Sequence, residues 1–278
     1  MIRVIGDTTC GMTLQQAQEL GIEYIPQIIV FGEESYRDDT EIDSQTFVKK
    51  LMESKELPRT AAPPPALYTP LYQDMMEKGD SGIVICPSVS LSGTVRSATT
   101  ALDDFPGLDV RIINSESIGC GITMLLKRAK EMADAGNTLD EIEAEIRNMV
   151  DKCRCYAVVD TLEYLHKGGR IGGAAKLLGE VLQIKPILVV KETVEVYEKQ
   201  RTHKKAVDRL IDIVQEQCKD YKKGNFSFST LDTNPNNEKL RKEFSERFGA
   251  ENIPFLNIPP AIMVHAGPGV IICSFFSE

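Results

Sequence analysis

The stretch GIVICPSVSLSGTVRSATTALDDF, from Gly82 to Phe105, decides the fold class. It begins with a short apolar run, passes through a loop rich in serine and threonine, and continues in a helical pattern. This order is typical of a βα unit, in which a buried strand is followed by a turn and then by a helix that starts at the carboxyl end of the strand. Hydroxyl groups and free backbone N–H groups at the start of a helix favour an anion.

The same alternation extends over the N-terminal half of the chain. Further strands are predicted at Ile2 to Asp7, Tyr24 to Phe31 and Val110 to Ser115, and helices after Thr13, around SQTFVKKLMES, near Ala66 and, as two stretches, between Ile122 and Lys152. Strands that alternate with helices of this length indicate a parallel sheet covered by helices.

The pattern restarts after Cys155. The predicted elements are a strand at Tyr156 to Asp160, a short helix that ends at KGGRIGG, the paired strands PILVV and VEVYE joined at Lys191 to Thr193, a helix from Thr202 to Lys219, the strand FSFST, the helix NNEKLRKEFSERF and the closing strand GVIICSFF. The sequence therefore predicts an α/β protein of two domains, residues 1–154 and 155–278.

Composition and charge narrow the classes of function. The chain has 278 residues and a net charge of −9, which disfavours wholesale binding to nucleic acid or to anionic membranes. The sequence has no apolar run of membrane-spanning length and no secretory signal, so we expect a cytoplasmic protein with no stable membrane insertion. The seven cysteines are scattered and odd in number, which predicts reduced thiols in the core. We expect neither a metal nor a cofactor.

Candidate ligand-binding residues lie where the predicted strands end, because ligands of parallel α/β sheets sit beyond the carboxyl ends of the strands. Ser92, Gly93 and Thr94 follow the strand in the opening stretch, and Thr60 lies in the loop before the Ala66 helix. Gly93 would permit a ligand to approach the backbone closely. The alternative is that Ser92 or Thr94 only caps the helix.

Three other residues are candidates for binding or docking. Arg170 lies between two glycine pairs and carries a planar charge suited to carboxylate or phosphate, and Arg201 begins a second basic group. Basic groups of this kind are more often a solvated surface than a docking site. His265 follows an apolar run and precedes Gly-Pro-Gly, so it is either a structural histidine or part of a pocket between the domains.

Several stretches, in this order, resemble the DegV family of bacterial lipid-binding proteins, which includes the fatty-acid-binding subunits (FakB type) of fatty acid kinase. The stretches are GDTTC, YRDD, RTAAPPP, SLSGTVRSA, DTLEYLHKGGRIGG, LQIKPIL, RTHKKA and HAGPG. The resemblance covers nearly the whole chain and implies the two-domain DegV (EDD-type) fold, with an N-terminal parallel sheet flanked by helices and a C-terminal α/β domain with a mixed sheet.

The resemblance implies a carrier for phospholipid synthesis and not an enzyme. Such proteins bury a long-chain fatty acid between their domains and present its carboxylate to a separate ATP-dependent kinase, which makes an acyl phosphate. Carried over residue by residue, the carboxylate would be held by Thr60, Ser92 with Gly93, and His265. Arg170 and Arg201 match positions that would face the kinase, and we expect charge reversal at Arg170 to abolish phosphorylation while sparing lipid binding.

The chain departs from the family pattern at four positions. Ala61 replaces a serine after the binding threonine, and Val89 replaces one of a serine pair. Thr8 replaces the serine of the usual Asp-Ser-Thr, and Gly11 stands where an acidic residue is frequent. Loss of hydroxyl groups would weaken the head-group site, enlarge it or change the preferred lipid.

Two other functions stay open at this point. The first is a hydrolase or acyltransferase with Ser92 as nucleophile and His265 as base, although no elbow motif surrounds Ser92 and no third residue is evident. The second is a binding protein for another anionic small molecule, which a cavity lined by charged groups would support.

Overall fold

In the computed structural model, the described residues are 1–179, 184–218, 226–249 and 254–277. The start of the LQIKPIL stretch and Lys219, the predicted end of a helix, lie outside them. The helices are α1 (Leu14–Glu19), α2 (Ser44–Glu53), α3 (Thr69–Lys78), α4 (Thr94–Leu102), α5 (Cys120–Asp134), α6 (Leu139–Lys152), α7 (Glu163–Lys167), α8 (His203–Gln217), α9 (Asn237–Phe248) and α10 (Pro260–Ala266).

The N-terminal half contains the predicted parallel sheet. Its strands, in spatial order, are β2 (Glu23–Ile25), β1 (Ile2–Asp7), β6 (Ser81–Cys86) and β7 (Val110–Asn114), all parallel. In this sheet β2 lies beside β1 on one side, and β6 lies beside β1 on the other side. The carboxyl ends of β1 and β6 therefore form the switch point at which open α/β sheets bind ligands.

The C-terminal half is built on a mixed six-stranded sheet, as predicted. The spatial order is β10 (Thr193–Gln200), β9 (Lys185–Lys191), β8 (Cys153–Val158), β13 (Ile271–Phe276), β11 (Phe226–Thr230) and β12 (Phe255–Asn257), with only the last pair parallel. The sheet begins with β8 at Cys153, one residue before the predicted domain boundary, and that boundary stays a prediction.

The prediction of one strand from Tyr24 to Phe31 is wrong. The segment divides into β2 and β3 (Ile28–Phe31), which belong to different sheets. Pro26 has no N–H to donate to a ladder. The N–H of Gln27 instead donates to Thr8 Oγ1 at 3.0 Å and to Asp38 Oδ1 at 2.9 Å. The chain is thereby turned out of the parallel sheet.

A small antiparallel sheet follows this break and was not predicted. It has the order β4 (Glu34–Arg37), β3 and β5 (Arg59–Ala61). Thr60 therefore lies on a strand and not in a loop. The helix expected near Ala66 begins later, with α3 at Thr69, because a 3-10 turn at Pro65–Leu67 follows the proline run. Strand β12 and helix α10, which carries His265, were also not predicted.

The six-stranded sheet is buried on both faces, because residues alternate sides along each strand. Tyr156, Val158 and Ile187 face the core beneath α8 and α9, whereas Ala157 and Leu188 face the N-terminal half. This explains why YAVVD and PILVV are almost continuously apolar. All seven cysteines are free and buried, as predicted.

The turn between β9 and β10 joins the two halves. Glu192, at a positive φ of 56°, accepts hydrogen bonds from Ser88 and Ser90 at its carbonyl oxygen, and its N–H donates to Glu116 O at 3.3 Å. Two hydroxyls of the loop after β6 are thus used to hold the halves together. Within the described ranges, no helix is long and apolar enough to cross a membrane.

The core beneath the six-stranded sheet depends on Phe228. Its ring lies 4.8 Å from that of Phe244 and 5.2 Å from that of Phe255, measured between centroids. We expect Phe228→Ala to lower the free energy of unfolding by about 3–5 kcal/mol in urea titrations, because truncation leaves a cavity. Exposed Met52→Ala is the control and should stay within about 0.5 kcal/mol of wild type. An equal loss in both variants would contradict this assignment of the core.

Candidate functional site: a cavity with one polar end

A cavity lies between the two halves, beyond the carboxyl ends of β1 and β6. The space that protein atoms leave empty there, including the open mouth, is about 700 Å³. Six polar and thirteen apolar residues line it. The polar residues, which we call the polar end, are Thr9, Gln27, Thr60, Ser92, Arg170 and His265.

Thr60 and His265 meet across two secondary-structure elements that are far apart in sequence. Thr60 Oγ1, on β5, lies 2.7 Å from His265 Nε2, near the end of α10. Burial lowers the pKa of His265 to about 4, with the charge of Arg170 as a second cause. The imidazole is therefore neutral at pH 7, so this pair offers hydrogen bonds and no full charge.

Ser92 is held by a buried network at the switch point. Its Oγ lies 2.9 Å from Thr94 Oγ1, and the Thr94 hydroxyl donates to Asp7 Oδ2 at 3.1 Å. Gln27 Nε2 donates to both, at 2.6 Å to Asp7 and 2.9 Å to Thr94. The N-cap of α4 is Gly93, and no side chain caps that helix. The capping alternative therefore does not explain the hydroxyls of Ser92 and Thr94, which belong instead to this buried network.

Arg170 joins two loops at the mouth of the cavity. Its Nε donates to Leu91 O at 3.1 Å and its Nη1 to Gly168 O at 2.7 Å. It is half-buried and lines the cavity, in contrast to Arg201, which is exposed between β10 and α8. Of the two arginines, only Arg201 has the exposure expected of a docking residue.

Gly93 is not among the described residues that line the cavity. A Cβ built at Gly93 would lie 3.4 Å from the Cβ of Ala62, in ordinary contact with protein and not with an open ligand space. The structure therefore brings Thr60, Ser92 and His265 to one cavity, and it leaves Gly93 behind them as the start of α4.

The departures from the family pattern lie away from the cavity lining. Ala61 is exposed, and 53% of the Val89 surface is exposed. The Thr8 hydroxyl accepts a hydrogen bond from the Gln27 N–H. Gly11 has a φ of 88°, and a Cβ built on it would lie 3.0 Å from Asn257 O. A side chain at Gly11 would be strained in this left-handed conformation. None of these four residues is among those described as lining the cavity, so the missing hydroxyl groups do not reduce the number of polar side chains at the polar end.

The apolar wall was not identified from the sequence. It is formed by one face of the six-stranded sheet with parts of α7, α10 and neighbouring loops: Leu91, Ile118, Ala157, Val159, Leu165, Leu188, Val190, Val194, Ala261, Ile262, Ala266, Val270 and Ile272. Gln27 was also missed, and the available signal was a single amide in the apolar run IPQIIVF, directly after proline. Across the described ranges, no cluster of three or more His, Cys, Asp or Glu side chains is arranged to hold a metal ion.

Comparison with known proteins gives consistent matches over the whole chain. The model of the DegV family matches residues 1–278. A DegV domain-containing protein of Listeria innocua is 31% identical over 273 residues, which is 97% of this chain and 96% of that protein.

Two solved structures are similar over nearly their full length. One is a DegV family protein from Thermus thermophilus described as binding fatty acid, with a TM-score of 0.88 and 28% identity over 100% of this chain and 99% of that one. The other is DegV of Bacillus subtilis, described as a fatty acid binding protein, with a TM-score of 0.88 and 30% identity over 99% of each chain.

The buried carboxyl group of Asp38 gives a test of the support beneath the polar end. Burial, with Asp7 nearby, raises the pKa of Asp38 to about 7 from 3.8, although the Gln27 N–H donates to it. The raised pKa means that the folded state disfavours the charged carboxylate. The stability of the fold is therefore highest below pH 3.8, where the group is neutral in both states, and it declines as the pH rises through 7. The loss is on the order of 4 kcal/mol.

We expect Asp38→Asn to remove this decline. Urea unfolding of wild type and variant between pH 3.5 and 8 is the measurement, and the difference in unfolding free energy should change mainly between about pH 4 and pH 7. Parallel curves for the two proteins would show that Asp38 titrates normally in the folded state.

Proposed function

This chain belongs to the DegV family, and from that membership we propose that it binds a long-chain fatty acid in the cavity and presents the carboxylate to a separate ATP-dependent fatty acid kinase. The observation that carries the proposal is the division of one cavity lining into a polar end of six residues and an apolar wall of thirteen. A fatty acid has the same division. The solved structures described as binding fatty acid support the proposal because they share the fold at 28% and 30% identity.

The apolar wall would supply most of the affinity. Each buried methylene contributes about 0.8 kcal/mol, so a 16-carbon tail offers roughly 12 kcal/mol before the cost of ordering the tail and fixing the ligand is subtracted. Val190, Val194 and Ile272 come from three strands and would contact such a tail from one side.

The polar end would hold the head group by hydrogen bonds. Removing a carboxylate from water is costly unless several donors meet it. The hydroxyls of Thr60 and Ser92 and the neutral imidazole of His265 come from three elements and face one cavity. Hydroxyl hydrogens can rotate toward a ligand. Thr94 would still accept a hydrogen bond from Gln27 if Ser92 turned to the carboxylate.

The geometry disfavours the enzymatic alternative. In a serine hydrolase the base must reach the nucleophile, but His265 Nε2 faces Thr60 Oγ1 and Ser92 Oγ faces Thr94 Oγ1. The apolar wall also disfavours a highly charged small ligand, since Arg170 is the one charged residue at neutral pH among the described cavity-lining residues.

We expect the protein as purified to carry stoichiometric fatty acid in native mass spectrometry, because the apolar wall is large. The Thr60→Ala, Ser92→Ala double variant should lose most of it, since each hydrogen bond to a charged group contributes about 1.5–3 kcal/mol, or roughly ten- to a hundredfold in affinity. The exposed pair Thr100→Ala, Ser245→Ala is the matched control and should retain the lipid. A wild-type protein that gains no mass when offered C14 to C18 acids would refute the proposal.

The kinase partner is tested by separating binding from phosphorylation. We expect Arg201→Glu to leave palmitate affinity within about twofold and to reduce acyl-phosphate formation by an added kinase subunit with ATP, because Arg201 is exposed and does not line the cavity. In contrast to the expectation from the resemblance, we expect Arg170→Glu to weaken palmitate binding itself by at least tenfold, because Arg170 lines the cavity. The change removes the donors to Leu91 O and Gly168 O and places a second carboxylate beside the ligand.

Calorimetry and a hydroxamate trap for acyl phosphate give the two readings. An Arg170→Glu variant with normal palmitate affinity and no phosphorylation would instead assign Arg170 to docking. Normal phosphorylation of Arg201→Glu would exclude a docking role for Arg201.

A further inference from the structure

The ends of helices α7 and α10 lock together through two glycines. A Cβ built on Gly168, at the end of α7, would lie 2.3 Å from His265 Nδ1 and 3.2 Å from His265 Cε1. A Cβ built on Gly267, after α10, would lie 2.8 Å from the Tyr164 ring of α7. Each glycine thus makes room for a ring on the other helix. This accounts for one glycine in KGGR and one in HAGPG.

The ring edge that faces Gly168 makes no hydrogen bond. His265 Nδ1 is buried and has no partner among the described residues. Gly168 does not provide one: its N–H donates to Tyr164 O at 2.8 Å, its carbonyl accepts from Arg170 Nη1 at 2.7 Å, and neither group is hydrogen-bonded to Nδ1. The Gly168 backbone therefore closes off Nδ1 and leaves Nε2 as the nitrogen that reaches Thr60.

The unpartnered nitrogen selects the tautomer. If Nδ1 carried the proton of the neutral ring, a buried N–H donor would have no acceptor, which native structures avoid more strongly than an unused acceptor. With the proton on Nε2, the ring donates to Thr60 Oγ1 at 2.7 Å. The Thr60 hydroxyl hydrogen is then free to point into the cavity.

We propose that Gly168 is a positioning residue for the polar end: its lack of a side chain lets its backbone lie against Nδ1 of His265, which fixes the ring with Nε2–H toward Thr60 and makes Thr60 a donor to the head group. The inference rests on the proposed fatty-acid function for its ligand. The orientation and tautomer of His265 are properties of the protein alone.

The first test is a double-mutant cycle with palmitate, measured by calorimetry. We expect Gly168→Ala to raise the dissociation constant at least tenfold. The control is Glu163→Ala, an exposed change on the same helix α7, which should change the dissociation constant less than threefold. In a His265→Ala background, the further effect of Gly168→Ala should be much smaller than in wild type, because only the contact of the built Cβ with Tyr164 O, at 2.9 Å, is left. Palmitate binding unchanged by Gly168→Ala, or lost equally in both backgrounds, would overturn the proposal.

The second test is nitrogen NMR of the imidazole in the wild-type protein, which needs neither a variant nor a ligand. We expect the His265 signals to show the proton on Nε2 at pH 7. A proton on Nδ1 would overturn the proposal whatever the binding data show. If wild type bound no palmitate but His265 carried its proton on Nε2, the fatty-acid function would fail while the positioning of His265 by Gly168 stood.

Discussion

The six-stranded sheet has two apolar faces to bury, and the rest of the structure follows from that constraint. Helices α8 and α9 cover one face, and the N-terminal half covers the other. Side chains of that second face, such as Ala157, Val190 and Ile272, also line the cavity. The hydrophobic effect that joins the two halves therefore also shapes the space for a ligand.

The polar end carries little fixed charge. Burial lowers the pKa of His265 to about 4, so Arg170 is the one full charge at pH 7 among the described residues that line the cavity. Asp7 is buried behind the hydroxyl groups and orients Thr94, and burial raises its own pKa. The proposed head group would therefore be met mainly by hydrogen-bond donors.

Much of the fold could be predicted because the periodicity of apolar residues and the residues that form turns are local features of the sequence. The βα units, the paired strands at Lys191 to Thr193 and the mixed C-terminal sheet follow from runs of apolar residues and their turns. The division of Tyr24 to Phe31 was missed because the run is apolar apart from Gln27. The segment is divided by Pro26 and by the hydrogen bonds of the Gln27 N–H to Thr8 and Asp38, which are 19 and 11 positions away in the chain. Helix α10 was missed because only seven residues form it, between prolines and glycine.

The sequence by itself determined the fold class, the family resemblance and the candidates Thr60, Ser92 and His265, because residue types and their spacing carry that information. Only the tertiary structure decided how they act. It placed Thr60 against His265 across 205 positions of sequence, turned Arg170 into the wall of the cavity and selected which face of the sheet lines it. These outcomes depend on how separate elements pack, and packing is fixed by contacts between residues distant in the chain.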